Sequence, residues 1–218
     1  MQTNKGRPYC LVWDVETQQK INDMPGRFRE DRIKKLSISV ACALVLDSEL
    51  VLNGKRDEAM SIAQHYSFWC DDVSGFQGLL TLMDNAEVIC AYNGICFDHL
   101  VLHKHYNGDR TRELSHTAKA HDVFRAIIGA TGSRWPKLAD LLRLNGLAPK
   151  EADGLLAIQW WSEQRRDDLE SYCASDVRLF AELLLQREGI ILPDEDIKAP
   201  VTLVGLAPAI VAQRFKFP

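Results

Sequence analysis

A few acidic residues and one tyrosine stand where an ordinary core has little use for them. Asp14 and Glu16 close the apolar run Tyr9-Cys-Leu-Val-Trp-Asp-Val-Glu16. In a strand, residues two apart share a face. Two like charges side by side against apolar neighbours repel and lose hydration, although Asp-x-Glu alone reads as a solvated strand end. Asp98 ends the run Ala91-Tyr-Asn-Gly-Ile-Cys-Phe-Asp98. This is a strand entering a turn at Asn93-Gly94, with Asp98 opening a helix, where Asp is also favoured merely as an N-cap. Tyr172 and Asp176 lie four apart in Tyr-Cys-Ala-Ser-Asp, so a helix puts phenol and carboxylate on one face. That face is the apolar stripe of the helix, where an unpaired carboxylate is costly. A buried hydrogen-bonded Tyr-Asp pair is the plainer explanation of this cluster alone.

Together the three clusters supply four carboxylates and a phenol. Hard oxygen donors suit Mg²⁺ or Mn²⁺. Two such ions about 4 Å apart can activate a water and stabilise the leaving oxygen of a phosphodiester. No competing chemistry offers itself: the sequence has no Gly-x-x-x-x-Gly-Lys phosphate loop, no Gly-x-Ser-x-Gly elbow and no Gly-x-Gly-x-x-Gly fingerprint.

The elements that must position these residues follow from periodicity. Tyr9 to Glu16 reads as a central strand, with Leu11, Trp13 and Val15 on one side and Cys10, Val12, Asp14 and Glu16 on the other. Gln18 to Lys35 reads as a polar loop through Pro25-Gly26. Leu36 to Leu46 is predicted as a second strand, Asp47-Ser48 as a turn and Leu50 to Asn53 as a third strand in a hairpin. Gly54 to Asp72 carries no readable pattern. Helices are expected at Phe76 to Met83, Asp98 to Tyr106, Leu138 to Leu144, Leu155 to Trp161 and Asp168 to Arg187, with short strands at Glu87 to Ala91 and His121 to Phe124. Hairpin strands followed by alternating strands and helices predict an α/β domain with a mixed sheet and helices packed against it.

Composition narrows the class. The chain has 218 residues, 46% hydrophobic and 26% charged, which fits one globular domain with extensions. The net charge of −4 gives no global sign of a polyanion-binding surface, leaving such contacts to local basic patches and metal ions. The cysteines, Cys10, Cys42, Cys70, Cys90, Cys96 and Cys173, form no Cys-x-x-Cys pair and mostly sit in apolar runs. They read as reduced core thiols. The absence of a signal peptide and of any apolar run near the ~20 residues of a membrane span predicts a cytoplasmic protein without a membrane partner.

Asp14-Val-Glu16-Thr17, Tyr92-Asn93 with Phe97-Asp98, and Tyr172-Cys-Ala-Ser-Asp176 resemble, in order, the three motifs of DEDD-superfamily 3′→5′ exonucleases, Tyr subclass. The wording resembles the proofreading domains of family B DNA polymerases and, more broadly, ribonuclease D-type exonucleases. The His subclass would place a histidine where Ser171 stands. The resemblance spans about residues 8 to 187. It implies a ribonuclease H-like sheet of about five strands flanked by α-helices, an exonuclease domain over 1–190, and a C-terminal extension over 191–218. It implies that Asp14, Glu16 and Asp176 hold the cation that binds the attacking water, that Asp14 bridges to a second cation supported by Asp98, and that Tyr172 orients the water. Thr17, Asn93 and Phe97 are then expected beside the terminal nucleotide. The cofactors would be two divalent cations, Mg²⁺ or Mn²⁺. The substrate would be a nucleic-acid 3′ end, single-stranded or frayed DNA favoured and RNA possible, released as nucleoside 5′-monophosphates. The alternatives are a non-catalytic nucleic-acid- or partner-binding module on the same fold, or an RNA-trimming exoribonuclease.

Weaker signals take the plainer reading. His99, His103 and His105 are expected on an exposed helix face. Arg27, Arg29, Arg32, Lys34 and Lys35 read as a solvated loop, with nucleic-acid backbone contact as a minority reading that extends to Arg134 and Lys137. At least one of Trp160 and Trp161 is expected in the core rather than stacked on a base.

Overall fold

The computed structural model describes residues 7–131, 136–148, 154–186, 189–192, 198–199 and 204–216. Arg134 and Arg187 lie outside the described residues. The centre is a five-stranded sheet in the order β3-β2-β1-β4-β5, with β1 Tyr9–Thr17, β2 Ile38–Asp47, β3 Gln64–Trp69, β4 Val88–Ala91 and β5 Ala120–Asp122. β1 and β2 pair antiparallel, as do β2 and β3. β4 runs parallel to β1, and β5 parallel to β4. This is the mixed sheet expected from the element pattern.

Helices cover both faces, and the sheet's alternation decides what each covers. Cys10 and Val12 of β1 bury on one face with Val40, Cys42 and Leu44 of β2. There they meet the apolar stripe of the longest helix, Leu169, Cys173, Val177 and Phe180. Leu11, Trp13 and Val15 point to the other face and pack with Phe76, Leu79, Leu80, Met83, Val101 and Leu102. Both sides of β1 are buried, as a central strand requires.

Among the described residues the helices are, in chain order, α1 Arg29–Ile33, α2 Ser48–Leu52, α3 Arg56–Ser61, α4 Gln77–Asn85, α5 Asp98–Leu102, α6 Arg110–Ala118, α7 Val123–Thr131, α8 Leu138–Leu144, α9 Gly154–Ser162, α10 Arg166–Leu184 and α11 Leu206–Lys216. A 3₁₀ turn, His103–Tyr106, prolongs α5. It ends where Asn107 and Gly108 turn left-handed, at φ 52° and 84°.

Two expectations are corrected. Leu50 to Asn53 is not a strand: Asp47 accepts from the backbone N–H groups of Glu49 at 2.9 Å and Leu50 at 3.1 Å. The expected turn at Asp47-Ser48 is therefore an N-cap, and the apolar run after it coils into α2. The third strand lies in the unreadable stretch instead, as β3. The segment Gln18 to Lys35 is not all loop, since it contains α1. Toward the C-terminus, β6 Ile190–Ile191 pairs with β7 Lys198–Ala199. Ile190, Leu192, Val204, Leu206 and Ile210 bury in the same core as α10. Among the described residues, no helix is long and apolar enough to cross a membrane.

Candidate metal centre at the end of β1

Strand β1 runs past its parallel partner. It pairs with β4 only from Cys10 to Val12, while its other edge stays zipped to β2. Beyond Val12 the free edge needs another acceptor, and Asp98 at the start of α5 provides one. Its Oδ1 accepts the Val15 N–H at 3.3 Å. Asp98 is thereby clamped beside Asp14, buried at 2% exposure.

Glu16 is buried too, while Asp14 and Asp176 are half-buried. Helix α10 crosses over this end of β1 and brings Tyr172 and Asp176 with it. The five predicted residues Asp14, Glu16, Asp98, Tyr172 and Asp176 thus meet in one place, drawn from β1, α5 and α10.

The electrostatics record the crowding. Burial, then the charges of Asp98, Glu16 and Asp176, push the Asp14 carboxyl well above its ordinary range. Burial, then Asp176 and Asp98, do the same to Glu16. Burial raises Asp98 to about 7, although hydrogen bonds from its own backbone N–H, from Val15 and with Asp14 pull it back. Burial, then the charge of Asp176, raises the Tyr172 phenol, which is hydrogen-bonded to Asp176. Among the described residues, no Lys or Arg is among the largest influences on these carboxyls. A buried anionic cluster without a cation is held at the cost of taking up protons. A hard divalent cation among the same oxygens removes that cost, so the residues present fit such an ion.

The remaining predicted residues flank the cluster. Thr17 is buried, and its hydroxyl donates to the Gln19 carbonyl at 3.0 Å. Asn93 sits left-handed at φ 62°, a conformation Asn tolerates at some cost. Its Oδ1 is buried with no hydrogen-bond partner among the described residues. Gly94 passes so close to β4 that a Cβ there would lie 2.4 Å from the Ala91 Cβ and 3.6 Å from Asp98 Oδ2. The Asn93–Phe97 turn therefore lies against Asp98.

Two residues escaped the sequence reading. Asp122, at the end of β5, accepts the Asn93 N–H with Oδ1 and the Ile95 N–H with Oδ2, both at 3.0 Å. It holds the turn in its strained shape. An Asp between a short strand and a helix is the only signal it left. Cys173 points one ligand atom at the cluster, within 4.8 Å of oxygens of Asp14 and Glu16. Its thiol donates to the Asp14 carbonyl at 3.7 Å. Its position between Tyr172 and Asp176 marked it only as core.

The discounted signals sort as follows. His99 is buried at 6%, edge-on to Trp13 at 5.2 Å, not on an exposed face. Burial pushes it down to about 4, as an apolar site does to an imidazole. His103 pairs with Glu113 at 2.7 Å. Trp160 and Trp161 both pack against the core, and Trp160 meets the Tyr172 ring at 5.9 Å.

No protein-family model matches the chain, and a search of curated proteins finds no match. Among solved structures, the family B DNA polymerase of the hyperthermophilic archaeon Pyrobaculum calidifontis aligns at a TM-score of 0.54 and 15% identity, over 86% of this chain and 27% of the polymerase. Escherichia coli Exonuclease I, solved with a 5cy-dT13 oligonucleotide, aligns at a TM-score of 0.39 and 15% identity, over 76% of this chain and 42% of that one. The chain spans about a quarter of the polymerase's length, and the likeness shows a shared α/β fold with a mixed five-stranded, ribonuclease H-like sheet flanked by helices.

Proposed function

We propose that the protein is a metal-dependent 3′→5′ exonuclease of the DEDD type, Tyr subclass, favouring DNA. The observation that carries this reading is the convergence of Asp14, Glu16, Asp98 and Asp176 in one place, with the first three pushed up by burial and with Asp98 and Asp176 adding their charges to Asp14 and Glu16. Asp14, Glu16 and Asp176 would hold one divalent cation, and Asp14 and Asp98 a second. Bound there, two such cations supply a water of lowered pKa and charge stabilisation at the scissile phosphate and leaving oxygen.

The chain's own residues do the rest. Tyr172 keeps its proton at neutral pH, since its pKa is raised. It therefore positions the attacking water by hydrogen bonding and does not abstract a proton. The Asn93–Phe97 turn, fixed by Asp122, and Thr17, next to Glu16, would flank the terminal nucleotide. Trp160, packed on the Tyr172 ring, holds the phenol in place.

Incubation with labelled DNA and RNA oligomers in Mg²⁺ or Mn²⁺ tests the reading. The expected products are nucleoside 5′-monophosphates, more from DNA than from RNA, with none in excess chelator. Full activity in chelator contradicts it, and a preference for RNA turns it toward an exoribonuclease.

A further inference from the structure

The segment 18–37 is far longer than the tight turn that would join antiparallel β1 and β2. A long connection in a compact domain usually has a use. Here it folds as a 3₁₀ turn, Ile21–Asp23, followed by α1. One hydrogen bond, Arg29 Nη1 to the Cys96 carbonyl at 3.4 Å, ties it to the Asn93–Phe97 turn. Between this segment and α9 runs an open groove of about 440 Å³ that begins at Thr17, next to Glu16. Lys20, Arg29 and Arg32 line one wall, and Leu155 and Ile158 line the other.

Several arginines elsewhere on the surface are neutralised by carboxylates, and those of this groove are not. Arg112 is paired with Asp84 at 2.7 Å, Arg165 with Asp168 at 2.8 Å, and Arg214 with Glu87 at 2.8 Å. Among the described residues, no carboxylate lies within 4.0 Å of Lys20, Arg29 or Arg32. Arg32 reaches only Asn22 Oδ1, at 3.5 Å, and its Nε is buried without a hydrogen-bond partner among the described residues. Beside the groove, Phe28 stands 61% exposed, with the Arg27 guanidinium over its ring at 5.2 Å. On a chain of net charge −4, this is a local concentration of unspent positive charge.

We propose that this groove binds the single-stranded nucleic-acid tract upstream of the terminal nucleotide, with Lys20, Arg29 and Arg32 on successive phosphates and Leu155, Ile158 and Phe28 against the bases. The proposal rests on the exonuclease reading of the adjacent carboxylates. Cations meet phosphate irrespective of sequence. Apolar and aromatic side chains are of use only to unstacked bases, which every base can satisfy with its ring face. A duplex keeps its bases paired inward and leaves that wall without a partner.

The test is binding, measured apart from cleavage. Fluorescence anisotropy of a labelled oligothymidylate in chelator compares the unaltered protein with Arg29→Ala/Arg32→Ala over a range of salt. Each lost phosphate contact lowers the slope of log K against log salt by about 0.7 for a single strand, so two contacts weaken binding roughly 25-fold at ~0.1 M salt. Because Arg32 is half-buried, the exposed pair Lys20→Ala/Arg29→Ala is a second variant with little risk to folding. It is expected to show the same loss. Binding of a blunt duplex of equal length is expected to be weaker and less affected. Unchanged affinity and slope in both variants overturn the groove. Hydrolysis of dithymidylate by the unaltered protein with Mn²⁺, run in parallel, reads the carboxylate site by itself. Its failure, alongside a groove that binds as expected, counts against the nuclease and not against the groove.

Discussion

Replacing Asp98 by Asn tests whether the carboxylates are held under charge strain that a cation relieves. The amide keeps an oxygen for the Val15 N–H, which Asp98 Oδ1 now accepts at 3.3 Å, and it keeps the shape. It removes the charge and turns the second oxygen into an NH₂ donor, which Asp14 can accept from. Burial raises the Asp98 carboxyl from an ordinary 3.8 to about 7, so the folded protein holds this proton more tightly than the unfolded chain does. The stability it contributes is fully present below about pH 4 and is lost as pH rises through 7. At 1.36 kcal/mol per pKa unit, the full penalty above pH 7 is about 4 kcal/mol, and the part falling between pH 5 and 7 is about 3 kcal/mol. For a chain of this size that is on the order of 5–10 °C in Tm. In chelator, the variant's Tm advantage over the unaltered protein should therefore widen by that amount from pH 5 to pH 8. Adding Mn²⁺ at pH 8 should shrink or reverse the advantage, because binding stabilises the carboxylate form and the amide is a poorer ligand. Differential scanning fluorimetry at both pH values, with and without Mn²⁺, reads all four conditions. A Tm difference that does not move with pH, or an unaltered protein that gains on the variant toward pH 8 in chelator, refutes the reasoning.

Other substitutions separate the roles. Asp14→Ala or Glu16→Ala should abolish cleavage while leaving the metal-free fold as stable or more so, since one of several repelling charges is gone; cleavage assays paired with Tm in chelator check this. Tyr172→Phe should keep fold and metal affinity but lower kcat roughly 10- to 1000-fold, about 1.4–4 kcal/mol of barrier; Asp176→Ala should be worse and should weaken metal binding, as calorimetric titration would read. Asp122→Ala leaves the Asn93 and Ile95 N–H groups without their acceptors, at about 1–3 kcal/mol for each group left unsatisfied. It should also raise KM, since the strained turn loses its clamp, so urea unfolding and steady-state kinetics should move together.

Much of the site was legible because it rests on local periodicity. The two-residue spacing of Asp14 and Glu16, the four-residue spacing of Tyr172 and Asp176, and the helix start at Asp98 each state a geometry before any packing is known. What stayed unread depends on neighbours distant in sequence. Asp122 matters through Asn93 and Ile95, and Cys173 through the backbone of Asp14, which no window of sequence contains. The polar helix α6 buries only Glu113 and His116, so it leaves no apolar stripe to find. Strand β3 is an edge strand with one buried residue, Phe68, too weak an alternation to stand out. Leu50 to Asn53 misled for the opposite reason: a short apolar run does not distinguish strand from helix, and the Asp47 cap decided it.

The most direct test of the central claim is the order in which product leaves a 5′-labelled DNA oligomer with Mg²⁺ present. A 3′→5′ exonuclease gives a ladder descending one nucleotide at a time from the 3′ end, silent in chelator, restored by added Mg²⁺ or Mn²⁺ and absent from Asp14→Ala. Immediate release of the labelled 5′ nucleotide, internal cuts, or an unchanged ladder from Asp14→Ala would contradict it.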